Sequence, residues 1–300
     1  MSDRIKLLLE AHLILLDDDG RVLLLRRCNT DYENGSYSLV AGKVEANEEV
    51  TAAAIREARE EVGVEVRAED VEVAGVIHRK ADDGFVSVAF FMAAQAWSGE
   101  IVNAEPHHHD GVGWHDLDDL PSEVIPYVRH ALANYRQGTR YASYGWDRVR
   151  PVNRDLMSDR FKVIPEVQVF LMNDLDQILL LRRFNTGHDD GNYGVVAGHV
   201  EADEEIVAAA TREANEEAGI HIRPADIDVV GVMHRNAGIG RVSFFLVCRK
   251  WSGDIVNAEP DKCDDLSWHS IHDLPANMVP CIRQGLKNYR TRKYYDGFGW

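Results

Sequence analysis

The sequence predicts an α/β protein of two tandem domains, each an α/β/α sandwich in which a mixed β-sheet lies between helices. Three observations lead there. First, residues 1–146 and 157–300 repeat one another: "RVLLLRRCNTDYENGSYSLVAG" answers to "QILLLRRFNTGHDDGNYGVVAG", and "MSDR" begins at Met1 and again at Met157. Second, each copy mixes short apolar runs of strand length with two stretches of helical period. Third, strands accompanied by helices of this kind bury their apolar faces as a sheet covered on both sides. Repeats of ~20–50 residues build solenoids, so a period of 156 marks whole domains. Residues 147–156, a polar stretch containing Pro151, are expected to link them.

The elements follow in order within one copy. "AHLILLDDDGRVLLLRR" reads as strand, turn and strand, a hairpin signal with Gly20 in the turn. "SYSLVAG" is a short strand ending in a loop. Asn47 is placed as the N-cap of a helix, with Glu48 and Glu49 in its first turn and Gly63 just past its end. "VEVAGVIHRK" and "VSVAFFMAAQAW" supply further strands, and "SEVIPYVRHALANYR" has the period of an amphipathic C-terminal helix. In the second copy "WSGDIVNAEP" begins at Trp251 as "WSGEIVNAEP" begins at Trp97, and both copies close on N-Y-R and a final G-W.

Composition narrows the partners. A net charge of −17 argues against a nucleic-acid polymer, although bound divalent cations would still admit small phosphorylated ligands. Cys28, Cys248, Cys263 and Cys281 show no C-x-x-C spacing, which favours a reducing cytoplasm over a disulfide framework or zinc ribbon. No apolar run reaches the ~18–20 residues needed to cross a bilayer, and the N-terminus lacks a signal-peptide layout.

The segment with most chemistry is "AGKVEANEEVTAAAIREAREEVGV", residues 41–64, matched at 16 of 24 positions by "AGHVEADEEIVAAATREANEEAGI", residues 197–220. On a helical wheel Glu57, Glu60 and Glu61 share one face, while Thr51, Ile55, Ala58 and Val62 form a stripe expected to pack on the sheet. Glu213, Glu216 and Glu217 repeat the acidic face, opposite Val207, Thr211, Ala214 and Ala218. A solvated helix face normally interleaves Lys or Arg four residues after Glu. Three carboxylates one turn apart repel each other unless a hard cation joins them, and Mg²⁺ or Mn²⁺ prefers such oxygen ligands. That the cluster occurs twice at equal positions favours a metal over a solvated face.

These residues spell G-x5-E-x7-R-E-U-x-E-E-x-G-U, where U is apolar, and so resemble the Nudix box of the MutT-like pyrophosphohydrolases. The first copy supplies Gly42, Glu48, Arg56, Glu57, Glu60, Glu61 and Gly63; the second supplies Gly198, Glu204, Arg212, Glu213, Glu216, Glu217 and Gly219. The resemblance implies Glu57, Glu60, Glu61 and Glu213, Glu216, Glu217 as ligands of Mg²⁺ or Mn²⁺, assisted by the carbonyls of Gly42 and Gly198. It implies Glu48–Arg56 and Glu204–Arg212 as bracing pairs. It also implies hydrolysis of a small nucleotide or nucleoside diphosphate derivative at each of two sites. The general base is left open between a member of each trio and Glu105 or Glu259 of the repeated "NAEP".

Other positions carry weaker expectations. Strand alternation puts one of Arg26–Arg27, and one of Arg182–Arg183, on the side of a substrate phosphate. Asn29 and Asn185 are read as turn residues. His107, His108 and His109 stand where the second copy has Asp261, Lys262 and Cys263; consecutive residues in an extended loop diverge, so a surface loop is expected there. Trp97, Trp114, Trp251 and Trp268 are read as core or pocket wall, and Trp146 and Trp300 as seals in a pseudo-dimeric packing of the two domains. Three other functions would each demand a different sequence. A nucleotide- or ADP-ribose-sensing protein would be expected to have degenerate boxes. An isoprenoid-diphosphate isomerase would need a matched cysteine, whereas Cys28 has Phe184 as its counterpart. RNA decapping would need a basic face.

Overall fold

The computed structural model describes residues 5–30, 32–147, 151–152, 161–238 and 240–300. Both "MSDR" segments and most of the expected linker lie outside them. The chain divides into two compact units whose bodies are Leu7–Lys162 and Val163–Trp300.

In the first unit the strands are β1 (Leu8–Leu15), β2 (Val22–Arg27), β3 (Tyr37–Ser38), β4 (Val40–Lys43), β5 (Glu72–Lys80), β6 (Val86–Ala94), β7 (His109–His115) and β8 (Tyr141–Tyr144); the helices are α1 (Val50–Val62) and α2 (Pro126–Gln137). A five-stranded mixed sheet runs β4-β1-β6-β5-β8, and a three-stranded antiparallel sheet runs β3-β2-β7. β1 is buried along nearly its whole length, as befits a strand covered on both faces. Its Ile14 joins Ile77, Phe91, Val128, Ala131 and Leu132 in the core under α2. The alternate residues, beginning with Ala11 opposite Gly42, face α1.

The second unit repeats this with β9 (Ile164–Leu171), β10 (Gln177–Arg183), β11 (Tyr193–Gly194), β12 (Val196–His199), β13 (Ile227–Arg235), β14 (Arg241–Cys248), β15 (Cys263–Ser270), β16 (Tyr295–Phe298), α3 (Ile206–Ala218) and α4 (Pro280–Thr291). Its sheets run β12-β9-β14-β13-β16 and β11-β10-β15.

Two sequence expectations need correction. "AHLILLDDDGRVLLLRR" does make a tight turn, with Gly20 at φ 77° and the Asp17 carboxylate accepting from the Asp19 and Arg21 amides. The flanking strands do not form a hairpin ladder, however. They share only the Leu16–Val22 bridge before β1 enters the five-stranded sheet and β2 the smaller one. "SYSLVAG" likewise holds two strands, one for each sheet, parted at Leu39. The partners that decide both outcomes, β6 and β7, lie far along the chain.

Trp146 and Trp300 each find partners inside their own unit. Each indole N–H donates to a histidine carbonyl of its own unit, Trp146 to His78 at 2.9 Å and Trp300 to His234 at 3.1 Å, and each ring packs on that histidine. Trp97 stacks on Trp114 and Trp251 on Trp268.

Candidate metal centre

The helix carrying the acids begins later than its sequence suggested. Asn47 adopts φ 61° in the preceding loop, and Glu49 is the N-cap, its carboxylate accepting from the Thr51 amide at 2.8 Å. Glu48 is thereby freed to fold back: Oε2 accepts from the Glu45 amide at 2.9 Å, and both oxygens meet Arg56. Gly63 closes the helix in the left-handed region, as expected.

The acidic face also points elsewhere than expected. The buried residues of α1 are Val50, Ala53, Ala54, Ala58, Glu61 and Val62, so Glu61 belongs to the inward face, whereas Thr51 and Ile55 are only half-buried. The small alanines let the helix approach β4 closely. There Gly42 makes room for Glu57: a Cβ at Gly42 would lie 1.8 Å from Glu57 Oε1, and at Gly198 it would lie 1.8 Å from Glu213 Oε1.

Arg56 organises the acids. It donates to Glu48 Oε1 at 2.8 Å and Oε2 at 3.1 Å, to Glu57 Oε1 at 2.6 Å, to Glu60 Oε2 at 3.0 Å and to the Lys43 carbonyl at 3.1 Å. Arg212 repeats every contact with Glu204, Glu213, Glu216 and the His199 carbonyl. A guanidinium thus bridges two of the three acids in each trio. Glu61 turns the other way, its Oε2 accepting from the Ala41 amide at 3.0 Å, as Glu217 does from Ala197. The three carboxylates share a helix flank without converging on one point.

Burial sets their protonation. Desolvation raises the pKa of Glu57 and Glu213, against the pull of the adjacent arginine. Glu61 is 8% exposed and is pushed well above the usual carboxylate range by burial. Glu217 is raised to about 8 for the same reason. Buried carboxylates with raised pKa values are what a divalent cation would restore to the charged form.

The histidine run corrects the surface-loop expectation. His107 and His108 are exposed, but His109 opens β7 and is 4% exposed. A single turn, in which the His109 amide donates to the Glu105 carbonyl at 3.0 Å, brings Glu105 and His109 to the same side. Ligand atoms of Glu61, Glu105 and His109 all lie within 4.8 Å of one another. Burial lowers the His109 pKa to about 4, so the ring is neutral near pH 7. The available signal was the i, i+4 spacing from Glu105; the triplet's extended-loop reading hid it.

The arginine pairs do not divide by simple alternation, because the β2–β7 register shifts between Arg26 and Arg27 and the β10–β15 register between Arg182 and Arg183. Arg26 meets Asp110 and Arg182 meets Asp264. Arg27 pairs across the ladder with His109, and its charge reaches Glu61 and His12. Arg183 donates to the His188 carbonyl and to Thr186. Asn29 and Asn185 adopt φ 51° and 53°, the turn role expected of them.

Sequence reading also missed a buried polar cluster on the α2 side of β1. Arg79 lies 3.5 Å from Glu10, donates to the Tyr32 hydroxyl at 2.8 Å and stacks over Tyr127. The second unit keeps the pair as Arg235 with Glu166 and adds Arg241 beside the acid, and a serine donates to the acid in each unit, Ser87 to Glu10 and Ser243 to Glu166. An acid in the middle of an otherwise apolar strand was the signal for both.

With this arrangement in both halves, residues 6–135 and 163–289 match the family model described as the NUDIX domain. The chain belongs to the NUDIX domain family. As a class it is a Nudix hydrolase, built from two Nudix domains. A protein of Pseudomonas aeruginosa named NAD-capped RNA hydrolase NudC is 38% identical over 113 residues, 38% of each chain. Its namesake from Stutzerimonas stutzeri is 33% identical over 127 residues, 42% of each. The Nudix chain therefore spans well under half the length of these curated relatives. Among solved structures, the MutT Nudix hydrolase from Burkholderia pseudomallei is 33% identical, covering 42% of this chain and 95% of its own, with a TM-score of 0.39. No helix of the described residues is long and apolar enough to cross a membrane. The four cysteines are free thiols.

Proposed function

We propose that each domain hydrolyses a small nucleoside diphosphate derivative, NDP–X, to NMP and phosphorylated X, or a nucleoside triphosphate to NMP and pyrophosphate. Water adds to one phosphorus, the bridging P–O bond breaks, and the departing phosphate carries the electron pair away. The observation that carries this reading is the complete box in both copies, folded into the same acid–arginine arrangement.

The donor set fits a hard cation: all-oxygen, partly desolvated, and already drawing a guanidinium in its place. Glu57, Glu60 and Glu61 with the Gly42 carbonyl, and Glu213, Glu216 and Glu217 with that of Gly198, would hold Mg²⁺ or Mn²⁺. Such an ion neutralises diphosphate oxygens and lowers the pKa of attacking water. Glu48 and Glu204 keep their arginines fixed, and those arginines in turn hold the loop and the helix in one geometry. Arg27 and Arg183 are the cations proposed to face substrate phosphate; Arg26 and Arg182 are engaged by aspartates. The base is drawn from the trio or from Glu105 and Glu259, of which Glu259 Oε1 is engaged by the Lys262 ammonium at 2.6 Å. The net charge of −17 favours a free nucleotide over a polymer, and free thiols suit a reducing cytoplasm.

The test is Mg²⁺-dependent hydrolysis over a panel of (d)NTPs, ADP-ribose, nucleotide sugars, NAD⁺ and an NAD-capped RNA oligonucleotide, the last two prompted by the relatives' names. Wild type, Glu61→Gln, Glu217→Gln and the double variant are compared. Each single variant should retain the other domain's turnover and the double variant should lose it. A panel with no hydrolysed member would favour nucleotide sensing instead, and turnover confined to the capped oligonucleotide would sink the small-substrate reading.

A further inference from the structure

We propose that the first domain carries a mixed nitrogen–oxygen metal site, formed by Glu61, Glu105 and His109, that the second domain lacks. Its ligand class is a divalent transition ion such as Mn²⁺ or Co²⁺, since an imidazole added to carboxylates moves preference away from Mg²⁺. The proposal shares Glu61 with the hydrolytic reading above but does not depend on turnover.

Three observations carry it. The three side chains bring ligand atoms within 4.8 Å of one another. His109 is 4% exposed, its Nδ1 is buried with no hydrogen-bond partner, and its Nε2 stands 3.8 Å from Glu61 Oε1, too far for a hydrogen bond. Buried polar atoms are almost always bonded, so an imidazole beside two carboxylates, with its Nδ1 unbonded and its Nε2 short of a hydrogen bond to Glu61, is shaped for a ligand. The backbone holds the group in place. Ala104 donates to the Glu61 carbonyl at 3.0 Å, tying the loop to the end of α1, and Asn103 Nδ2 donates to the His109 carbonyl at 2.6 Å.

The second copy keeps this scaffold and changes the donors. Asn257 grips the Cys263 carbonyl and Ala258 donates to the Glu217 carbonyl, yet the Cys263 thiol turns to the Asp265 carbonyl at 3.2 Å. The Lys262 ammonium already occupies Glu259. Among the described residues no equivalent group of ligand atoms forms there. The two domains therefore differ in how many cations they hold and of which kind.

Pulsed EPR on the full chain loaded with Mn²⁺ alone tests this directly, because a coordinated imidazole nitrogen modulates the electron spin echo. His109→Cys is the central variant, since the second copy shows that the fold accepts cysteine at this place. Nitrogen modulation should be present in wild type, persist in the His107→Ala/His108→Ala protein and vanish in His109→Cys. Glu105→Gln should weaken binding of that ion at least about tenfold. No modulation in wild type, or its survival in His109→Cys, overturns the assignment. A chain that shows the nitrogen signal but splits no nucleotide keeps this site and loses only the hydrolytic reading; hydrolysis without the signal does the reverse.

Discussion

At the scale of the residue, Gly42 does more than loosen a loop. The space a Cβ would need is filled by the Glu57 carboxylate. Gly42→Ala should therefore push Glu57 off its position and cut the first domain's turnover on the order of 10²-fold, measured in a Glu217→Gln background so that the second domain is silent. Unchanged turnover would mean that Glu57 is not positioned by this contact. His12 gives a second prediction. It is buried against Phe91, and burial lowers its pKa to about 4, partly opposed by Glu10. The unfolded chain takes up this proton near pH 6.5 and the folded chain resists it. Its cost is thus absent above pH 6.5 and grows as pH falls towards 4, reaching about 2 kcal/mol at pH 5. His12→Gln, the residue found at Gln168 in the second copy, should reduce the first domain's loss of stability between pH 7 and 5 by about that amount in urea titrations. Equal losses in both proteins would show that His12 is not responsible. Residues of this kind were only partly legible. The box announced itself by spacing, whereas Glu10 and His109 acquire meaning only from partners on other strands.

At the scale of the element, periodicity located α1 and its glycine stop but misplaced its buried face. A wheel assigns inward and outward by polarity, and here one edge of the polar face is turned inward because Glu61 and Glu57 find the Ala41 amide and Arg56, while Glu60 stays exposed. Strand pairings were hidden for a different reason: a turn reports that the chain reverses, not which sheet each arm joins. The α4 helix shows one place where the copies diverge. Gly285 lies under the Phe245 ring, where a Cβ would come within 2.2 Å, while the first domain has Ala131 and Phe91 at these places, Phe91 standing opposite Gly75 as Phe245 stands opposite Gly231. Phe245 cannot easily yield, being packed on Phe170. Gly285→Ala gains roughly 1 kcal/mol of helix propensity but overpacks the core by about 1–3 kcal/mol. The expected result is a net destabilisation of the second domain by about 1–2 kcal/mol, relieved when Phe245→Ala is added. A stabilised single variant would show that the ring moves aside.

At the scale of the whole molecule, the duplication preserves the acid–arginine framework and varies what surrounds it. The arginine beside the buried acid is kept as Arg79 and Arg235, but Tyr32 and Tyr127 flank it in one domain whereas Arg241 joins Glu166 in the other. The two sites should accordingly rank substrates differently. Glu61→Gln and Glu217→Gln proteins assayed on the same nucleotide pair should give rate ratios that differ several-fold, and identical ratios would mean that these side chains do not contact substrate. The bridge made by Arg56 and Arg212 has a further consequence. An acid cluster held only by its metal would fly apart on chelation, as happens in small domains whose folding is metal binding. Here a built-in cation keeps Glu57 tied to Glu60, and Glu213 to Glu216, so the proposed ion would be a removable part. Chelator should leave the melting temperature nearly unchanged while abolishing turnover, and re-addition of Mg²⁺ should restore activity without refolding.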